Sequence, residues 1–278
     1  LSTTLLPLPS SQGLFNVPTS PPRKDSTAPE NDQGRAWSRQ ATRYDDLFLD
    51  PFRPGVESPL LPALAALERP ETLTVADLGC GTGPLLPHLV GRFGRVIAID
   101  FAPGMLTKSK KRLGVEAAKV EFFNRPMHAL DDLAGALDVA IAVNSIVMPD
   151  VREIDRTLSS IRTALRPGGV FFAVLPAMDA IHYHTMILHD HALDRGLDPE
   201  AAERHAAFHA EHHYYDFAFG RFRFLGLRQK FWQPFEATHR FAKAGFREVT
   251  LGQVFYPWDE SIAGFEDFTH LPRSWDWF

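Results

Sequence analysis

The strongest chemical signal in the sequence is the run Val75-Ala76-Asp77-Leu78-Gly79-Cys80-Gly81-Thr82-Gly83. Glycines at alternate positions let the backbone turn sharply and approach a ligand with no side chain in the way. The helix expected just after them offers unpaired N–H groups to a negative group. A second acid, Asp100, closes the next apolar run, Arg95-Val96-Ile97-Ala98-Ile99-Asp100. From the end of a second strand a carboxylate can accept hydrogen bonds from ribose hydroxyls. Two kinds of nucleotide-like cofactor could use this arrangement. The dinucleotide fingerprint requires the spacing G-x-G-x-x-G, which from Gly79 would put its third glycine at position 84, and that residue is Pro84. The spacing here is G-x-G-x-G, with Asp77 two residues ahead of it, so a nicotinamide-dependent oxidoreductase is the weaker reading.

This loop resembles the signature of class I S-adenosylmethionine-dependent methyltransferases. The resemblance runs on through Val96-Ile97-Ala98-Ile99-Asp100-Phe101-Ala102-Pro103-Gly104-Met105-Leu106, then Leu165-Arg166-Pro167-Gly168-Gly169, then Ala244-Gly245-Phe246. It implies an α/β, Rossmann-like doubly wound sheet, mostly parallel with an antiparallel C-terminal strand, and S-adenosylmethionine as cofactor. It also implies roles. Gly79, Cys80, Gly81, Thr82 and Gly83 cradle the methionine part, with Asp77 near its amino group. Asp100 holds the ribose, and Phe101 and Met105 flank the adenine. Asn144 and Ser145 line the methionine end, and Tyr44 in Ala41-Thr42-Arg43-Tyr44-Asp45 matches an N-terminal lid tyrosine. The chain departs from the family after the third strand, where Asn124-Arg125-Pro126-Met127 stands in place of an acid that binds the adenine amino group. The backbone N–H of Met127 is left to meet the ring. The activity implied is methyl transfer to an O, N or C nucleophile of a small molecule. The rival from another class is a non-catalytic protein that binds the same cofactor.

Methyl transfer from a sulfonium is an in-line displacement, so a site for it chiefly holds the nucleophile against the methyl carbon. A hydroxyl or protonated amine must also lose a proton, usually to His or a carboxylate. Eight of the twelve histidines fall between 182 and 213: His182, His184, His189, His191, His205, His209, His212 and His213. His182, His184 and Tyr214 are therefore the catalytic candidates. Three readings of the cluster stay open: ordinary polar filler on two helices, a substrate pocket, or a metal site. His205, His209 and His213 recur every four residues on one expected helix, but such a row spans about 12 Å. One ion would need a pair plus ligands from elsewhere, and no metal is assigned. The stretch from Tyr214 to Phe224 is rich in aromatic residues and fits an apolar pocket lining, while the alternating Arg and Phe at 221–224 fit at least as well a half-buried strand or insert core.

The elements that must position these groups follow a regular alternation. Strands are expected at 73–78, 95–100, 119–123, 137–143 and 170–175, with helices near 84–93 and 103–113. The helix after the fourth strand is marked by Asp150 as cap, Glu153 in a capping box, and Val151, Ile154, Leu158, Ile161 and Leu165 on one face. Such alternation points to a parallel sheet with right-handed crossovers. Residues 177–232 read as a substrate-cover insert of two helices and an aromatic segment. A helix over 234–244 and a sixth strand over 246–255 follow. At the end, Trp275 and Trp277 alternate with Asp276, the period of a strand with one apolar face. Residues 274–278 are expected to start a seventh, antiparallel strand beside the fifth, in a chain cut short of its natural end. Ahead of all this, 1–34 is Pro-, Ser- and Thr-rich and reads as a disordered tail. A helix carrying Trp37, Tyr44, Leu47 and Phe48 follows, with a second over 58–67.

Composition narrows the partners. The 278 residues suffice for one large domain, 35–278, after the tail. A net charge of −5 with no basic stripe argues against nucleic-acid binding. No apolar run approaches a membrane span. The single cysteine, Cys80, excludes an internal disulfide framework and fits a reducing, cytoplasmic setting.

Overall fold

The computed structural model describes residues 30–41, 50–224, 227–257 and 274–278. A helix α1 (Glu30–Gln40) and a short helix α2 (Leu60–Ala65) precede the alternating region. That region runs β1 (Thr74–Leu78), α3 (Leu86–Leu89), β2 (Arg95–Asp100), α4 (Pro103–Leu113), β3 (Val120–Asn124), β4 (Leu137–Val143), α5 (Val151–Ala164) and β5 (Leu165–Val174). The five strands form one parallel sheet in the order β3-β2-β1-β4-β5. This is the expected doubly wound order, and its reversal point lies between β1 and β4.

The strand sequences explain why both faces are covered. Successive side chains alternate between faces, and here both sets are apolar. Ala76, Leu78, Ile97, Ile99, Ala140 and Ala142 pack with Ile154, Leu158 and Ile161 of α5. Val75, Val96, Ala98, Val139 and Ile141 pack with Leu60 and Leu64 of α2, Leu86 and Leu89 of α3, and Leu106 of α4. Each Val, Leu or Ile among these contributes about 1.5–3 kcal/mol when fully buried, and each Ala methyl roughly 0.8. The cap expected for α5 is formed, since Asp150 Oδ1 accepts from the N–H of Arg152 at 2.8 Å.

The insert holds α6 (Met178–Asp194), α7 (Pro199–His209) and three short strands, β6 (Tyr215–Asp216), β7 (Arg221–Phe224) and β8 (Leu227–Lys230). These strands pair antiparallel in the order β6-β7-β8; the strand reading of 221–224 is formed as β7, and β6 and β8 make the insert α plus β where two helices and an aromatic segment were expected. It is tied to the sheet by Trp232, which is fully buried and donates its indole N–H to the carbonyl of Ile146 at 2.8 Å. The N–H of Lys230 also donates to Val147 O. Helix α8 (Pro234–Lys243) and strands β9 (Gln253–Tyr256) and β10 (Ser274–Trp277) complete the described residues.

Several expectations need correction. The helix expected over 84–93 is a single turn, because Pro87 is tolerated only in a first turn and Val90 is already extended. The sixth strand covers Gln253–Tyr256, not 246–255. Glu248 has φ 54, a left-handed geometry that interrupts an extended run. Helix α7 stops at His209 and Glu211 turns left-handed (φ 54), so His213 lies in a following 3-10 turn and not in line with His205 and His209. Residues 30–34 are helical, so the expected tail yields to α1 at Glu30; residues 1–29 lie outside the described residues. So do 42–49, with Tyr44, Leu47 and Phe48. The C-terminal strand is present as expected. Leu175, just past β5, and Trp277 exchange backbone hydrogen bonds at 2.7 and 2.9 Å in an antiparallel bridge. Strand β10 also pairs antiparallel with β9. It therefore lies between β5 and β9.

Candidate functional site

A cleft of about 460 Å³ opens at the C-terminal ends of β1, β2 and β4, where the strand order reverses and ligands bind in open α/β sheets. Larger hollows exist: one of about 680 Å³ along the edge of β5, and a shallow one of about 690 Å³ beside Arg35 and Arg39. Neither contains the glycine loop, so size does not select the site.

The loop glycines do different jobs. All three have positive φ (70, 54 and 78 for Gly79, Gly81 and Gly83). A Cβ on Gly79 would overlap Ser145 Cβ, and one on Gly83 would overlap the hydroxyl of Ser109 in α4. These two allow close packing behind the loop. A Cβ on Gly81 would meet nothing within 4 Å among the described residues, and Gly81 lines the cleft. It is the glycine that leaves room for a ligand. Cys80 and Thr82 are buried beneath, 4 % and 1 % exposed. Burial and the two nearby carboxylates push the Cys80 thiol well above its ordinary range. The carbonyl of Thr82 accepts from Arg112 at 3.0 Å.

Two acids sit under and beside this loop. Asp100 accepts at Oδ2 from the Gly81 N–H (2.9 Å) and at Oδ1 from the Ala102 N–H (2.8 Å). Burial outweighs these two bonds and pushes its carboxyl up to about 6. Asp77 is 2 % exposed, and its Oδ2 is buried with no hydrogen-bond partner among the described residues. Burial first, then the charge of Asp100, push it up to about 8. A cationic group is what such a carboxylate lacks.

The remaining positions assigned from the resemblance divide clearly. Phe101, Met105, Met127, Asn144 and Ser145 line the cleft with Gly79, Gly81 and Asp100. Asn124, in the segment that lacks the acid, donates from Nδ2 to the backbone carbonyl of Asp100 at 2.9 Å and so braces the end of β2. Ser145 Oγ donates to Leu78 O at 2.7 Å, joining the ends of β1 and β4.

His182, His184 and Tyr214 are not among the residues that line the cleft. They lie in the insert, His182 exposed and the other two half-buried. His182 stacks on Phe217 at 5.4 Å, and Tyr214 lies against His213 at 4.0 Å. Burial, then neighbouring His212, push His184 down to about 4. The described residues contain no group of three or more His, Cys, Asp or Glu placed to hold a metal ion. No helix among them is long and apolar enough to cross a membrane. Several other cleft residues carry no local signal of that role. Trp37 packs on Ala102 and Met105 from α1. His128, Asp150, Glu153 and Thr157 line the side formed by α5 and the turn after β3, and Arg228 reaches the cleft from the insert. Asn144 is left-handed (φ 50) and donates from Nδ2 to Asp276 of β10 at 3.3 Å.

Comparison with known proteins bears on residues in this frame. A model described as a methyltransferase domain matches residues 75–169. The magnesium-protoporphyrin O-methyltransferase of Rhodobacter capsulatus is 30 % identical over 148 residues, which cover 51 % of this chain and 64 % of that enzyme. The demethylmenaquinone methyltransferase of Lactococcus lactis subsp. lactis is 37 % identical over 102 residues, covering 35 % of this chain and 39 % of that one. The chain thus spans less than two thirds of the length of either relative. Among solved structures, an S-adenosylmethionine-dependent methyltransferase from Anabaena variabilis shares the fold with a TM-score of 0.54. It is 15 % identical, with 89 % of this chain and 91 % of that one covered.

Proposed function

From a chain that belongs to the class I S-adenosylmethionine-dependent methyltransferases, we propose an enzyme that binds S-adenosylmethionine in the cleft and methylates a small organic molecule at O, N or C, acting in the cytoplasm. The observation that carries the cofactor reading is the buried, unpartnered Oδ2 of Asp77 beneath a loop whose Gly81 faces open space. An amino group would satisfy the first, and a methionine carboxylate could approach the backbone at the second. Names of two relatives, for magnesium-protoporphyrin and demethylmenaquinone, support a small organic acceptor.

When bound, S-adenosylmethionine supplies an electrophilic methyl group on a cationic sulfur. The chain's own residues bind and orient. Asp77 would hold the ammonium. Asp100 keeps the Gly81 N–H in place and has lone pairs to spare for ribose hydroxyls. Phe101 and Met105 supply apolar surface for a flat ring, backed by Trp37. Asn144 and Ser145 close the end nearest the reacting centre. The insert covers the acceptor side, to which it brings Arg228.

Calorimetric titration with S-adenosylhomocysteine and with NADH tests this: binding of the first and not the second is expected. Labelled methyl transfer to hydroxylated or amine acceptors then separates an enzyme from a binder. Binding of NADH alone would refute the cofactor assignment.

A further inference from the structure

Asn144 lies one residue past β4, in the left-handed region, and lines the cleft. Its backbone is pinned by donation to Val174 O at 2.8 Å, and its side chain is pinned from behind. Nδ2 faces Asp276 Oδ2 at 3.3 Å, and the same oxygen accepts from the Tyr256 hydroxyl at 2.8 Å. An ionised carboxylate only accepts, so the atom of Asn144 that meets it is the NH2 group, and the carbonyl Oδ1 is the atom left over. Oδ1 is buried and has no hydrogen-bond partner among the described residues. Buried polar atoms are normally paired, so an orphan at the wall of a ligand cleft marks a place a ligand can satisfy.

The acid comes from far away in the chain. Asp276 belongs to β10 and lies 132 residues from Asn144. It is brought there by the antiparallel pairing of β10 with β9, which also carries Tyr256, and by the bridge between Trp277 and Leu175. Burial pushes the Asp276 carboxyl up to about 6, held from rising further by Tyr256, Asn144 and the backbone of Ala177. Above neutral pH it is an anion one hydrogen bond behind the cleft wall.

We propose that Asp276, supported by Tyr256, is a positioning residue that fixes the amide of Asn144 so that its carbonyl oxygen is presented to the cationic sulfonium end of the methyl donor. This rests on the cofactor reading above. The consequence is discrimination between donor and product. The sulfonium is positive and the thioether left after transfer is neutral, so an oriented carbonyl dipole with an anion behind it favours the donor. A reversed amide would turn its NH2 group toward the same charge and disfavour it.

The test needs no methyl acceptor. Affinities for S-adenosylmethionine and S-adenosylhomocysteine are measured by calorimetry on the full chain, on Asp276→Asn and on Tyr256→Phe, with melting temperatures alongside. Asp276→Asn can donate as well as accept, which frees the Asn144 amide to reverse. The donor-to-product affinity ratio is expected to fall at least about threefold, the scale of one ordinary hydrogen bond. The fall should come from weaker donor binding, with S-adenosylhomocysteine affinity kept within about twofold. Tyr256→Phe should lower the ratio in the same direction by less, and decides the matter if Asp276→Asn does not fold. Variants that keep the parent ratio, or lose both ligands equally, overturn the proposal while leaving the cofactor reading intact. A parent that binds neither ligand overturns both.

Discussion

The sheet with its glycine loop and the insert with its histidine cluster both bury titratable groups, yet they do so with opposite outcomes. In the loop region the buried groups are acids. Burial raises Asp77 to about 8 and Asp100 to about 6, and Asp77 keeps an oxygen without a partner. In the insert they are bases. Burial lowers His184 to about 4, and His212 is lowered too while its Nε2 lies 2.9 Å from the hydroxyl of Thr185. Desolvation penalises the charged form in both cases. Beneath the loop the charge is withheld beside a cleft, where a cation can restore it. In the insert it is withheld by burial, with His212 edge-on to Phe217 at 4.7 Å, which favours the neutral ring. Perturbed groups mark function only where geometry offers them a ligand.

The sharpest way to break this contrast is Gly81→Val. A branched side chain at φ 54 is strained and projects into the space that a ligand's carboxylate would use. S-adenosylhomocysteine affinity is expected to fall by more than about 100-fold, the equivalent of about 2.7 kcal/mol, with cooperative melting retained. An unchanged affinity by calorimetry would mean the ligand approaches elsewhere. Asp100→Ala comes next. It removes the acceptor of the Gly81 N–H and the acceptor expected for ribose, and hydrogen bonds to a charged group are worth roughly 1.5–3 kcal/mol. A loss of about tenfold or more is expected in the same assay, and a change below about twofold would place the ribose elsewhere.

Why these residues were legible in the sequence, and others were not, follows from how far each contact reaches along the chain. The glycine loop and Asp100 were readable because spacing within one βα turn and the next strand fixes their relation. Strand β4 was readable to the residue because its apolar run is buried on both faces. Strand β10 could be read from two tryptophans flanking one acid, but that alternation treated Asp276 as the polar face of a strand. Its contact with Asn144 depends on where β9 and β10 land, which no local pattern encodes. The end of α7 was missed for a related reason. Glu211 adopts a left-handed turn without the glycine that normally signals one, so three histidines in helical register are in fact divided between a helix and a turn.

A smaller effect sharpens the loop's side of the contrast. In the free protein Asp77, raised to about 8, is protonated at neutral pH, and a ligand ammonium pulls it toward the anion. Binding should therefore release a proton. Affinity for S-adenosylhomocysteine should rise with pH from 6 toward 8, by at least about fivefold, through proton linkage. The same sign governs stability. A carboxyl whose folded value lies above its unfolded one contributes stability that is full below about pH 4 and is lost as pH rises through about 8. The free protein should thus melt lower at pH 8 than at pH 6, and bound ligand should narrow the gap. Titrations in two buffers of different ionisation enthalpy at pH 7 read the released proton directly, and identical heats would contradict a neutral Asp77.

The smallest effect on the cofactor is expected from the insert. His184 lies in α6 near His212 and is not among the residues that line the cleft. Its replacement by Phe should leave S-adenosylhomocysteine affinity within about twofold of the parent. What should change is behaviour in acid. A histidine lowered to about 4 in the folded protein contributes stability that is full above its unfolded value near 6.5. That stability is lost as pH falls through the folded value, because unfolding lets the ring take up a proton. His212, lowered in the same direction, adds to the effect, with His182 beside it. The variant should therefore lose less stability than the parent between pH 6.5 and about 4, read as a smaller drop in melting temperature. If His184→Phe instead abolished cofactor binding while the fold stayed intact, the insert's histidines would belong to the cleft, and the two regions would form one site.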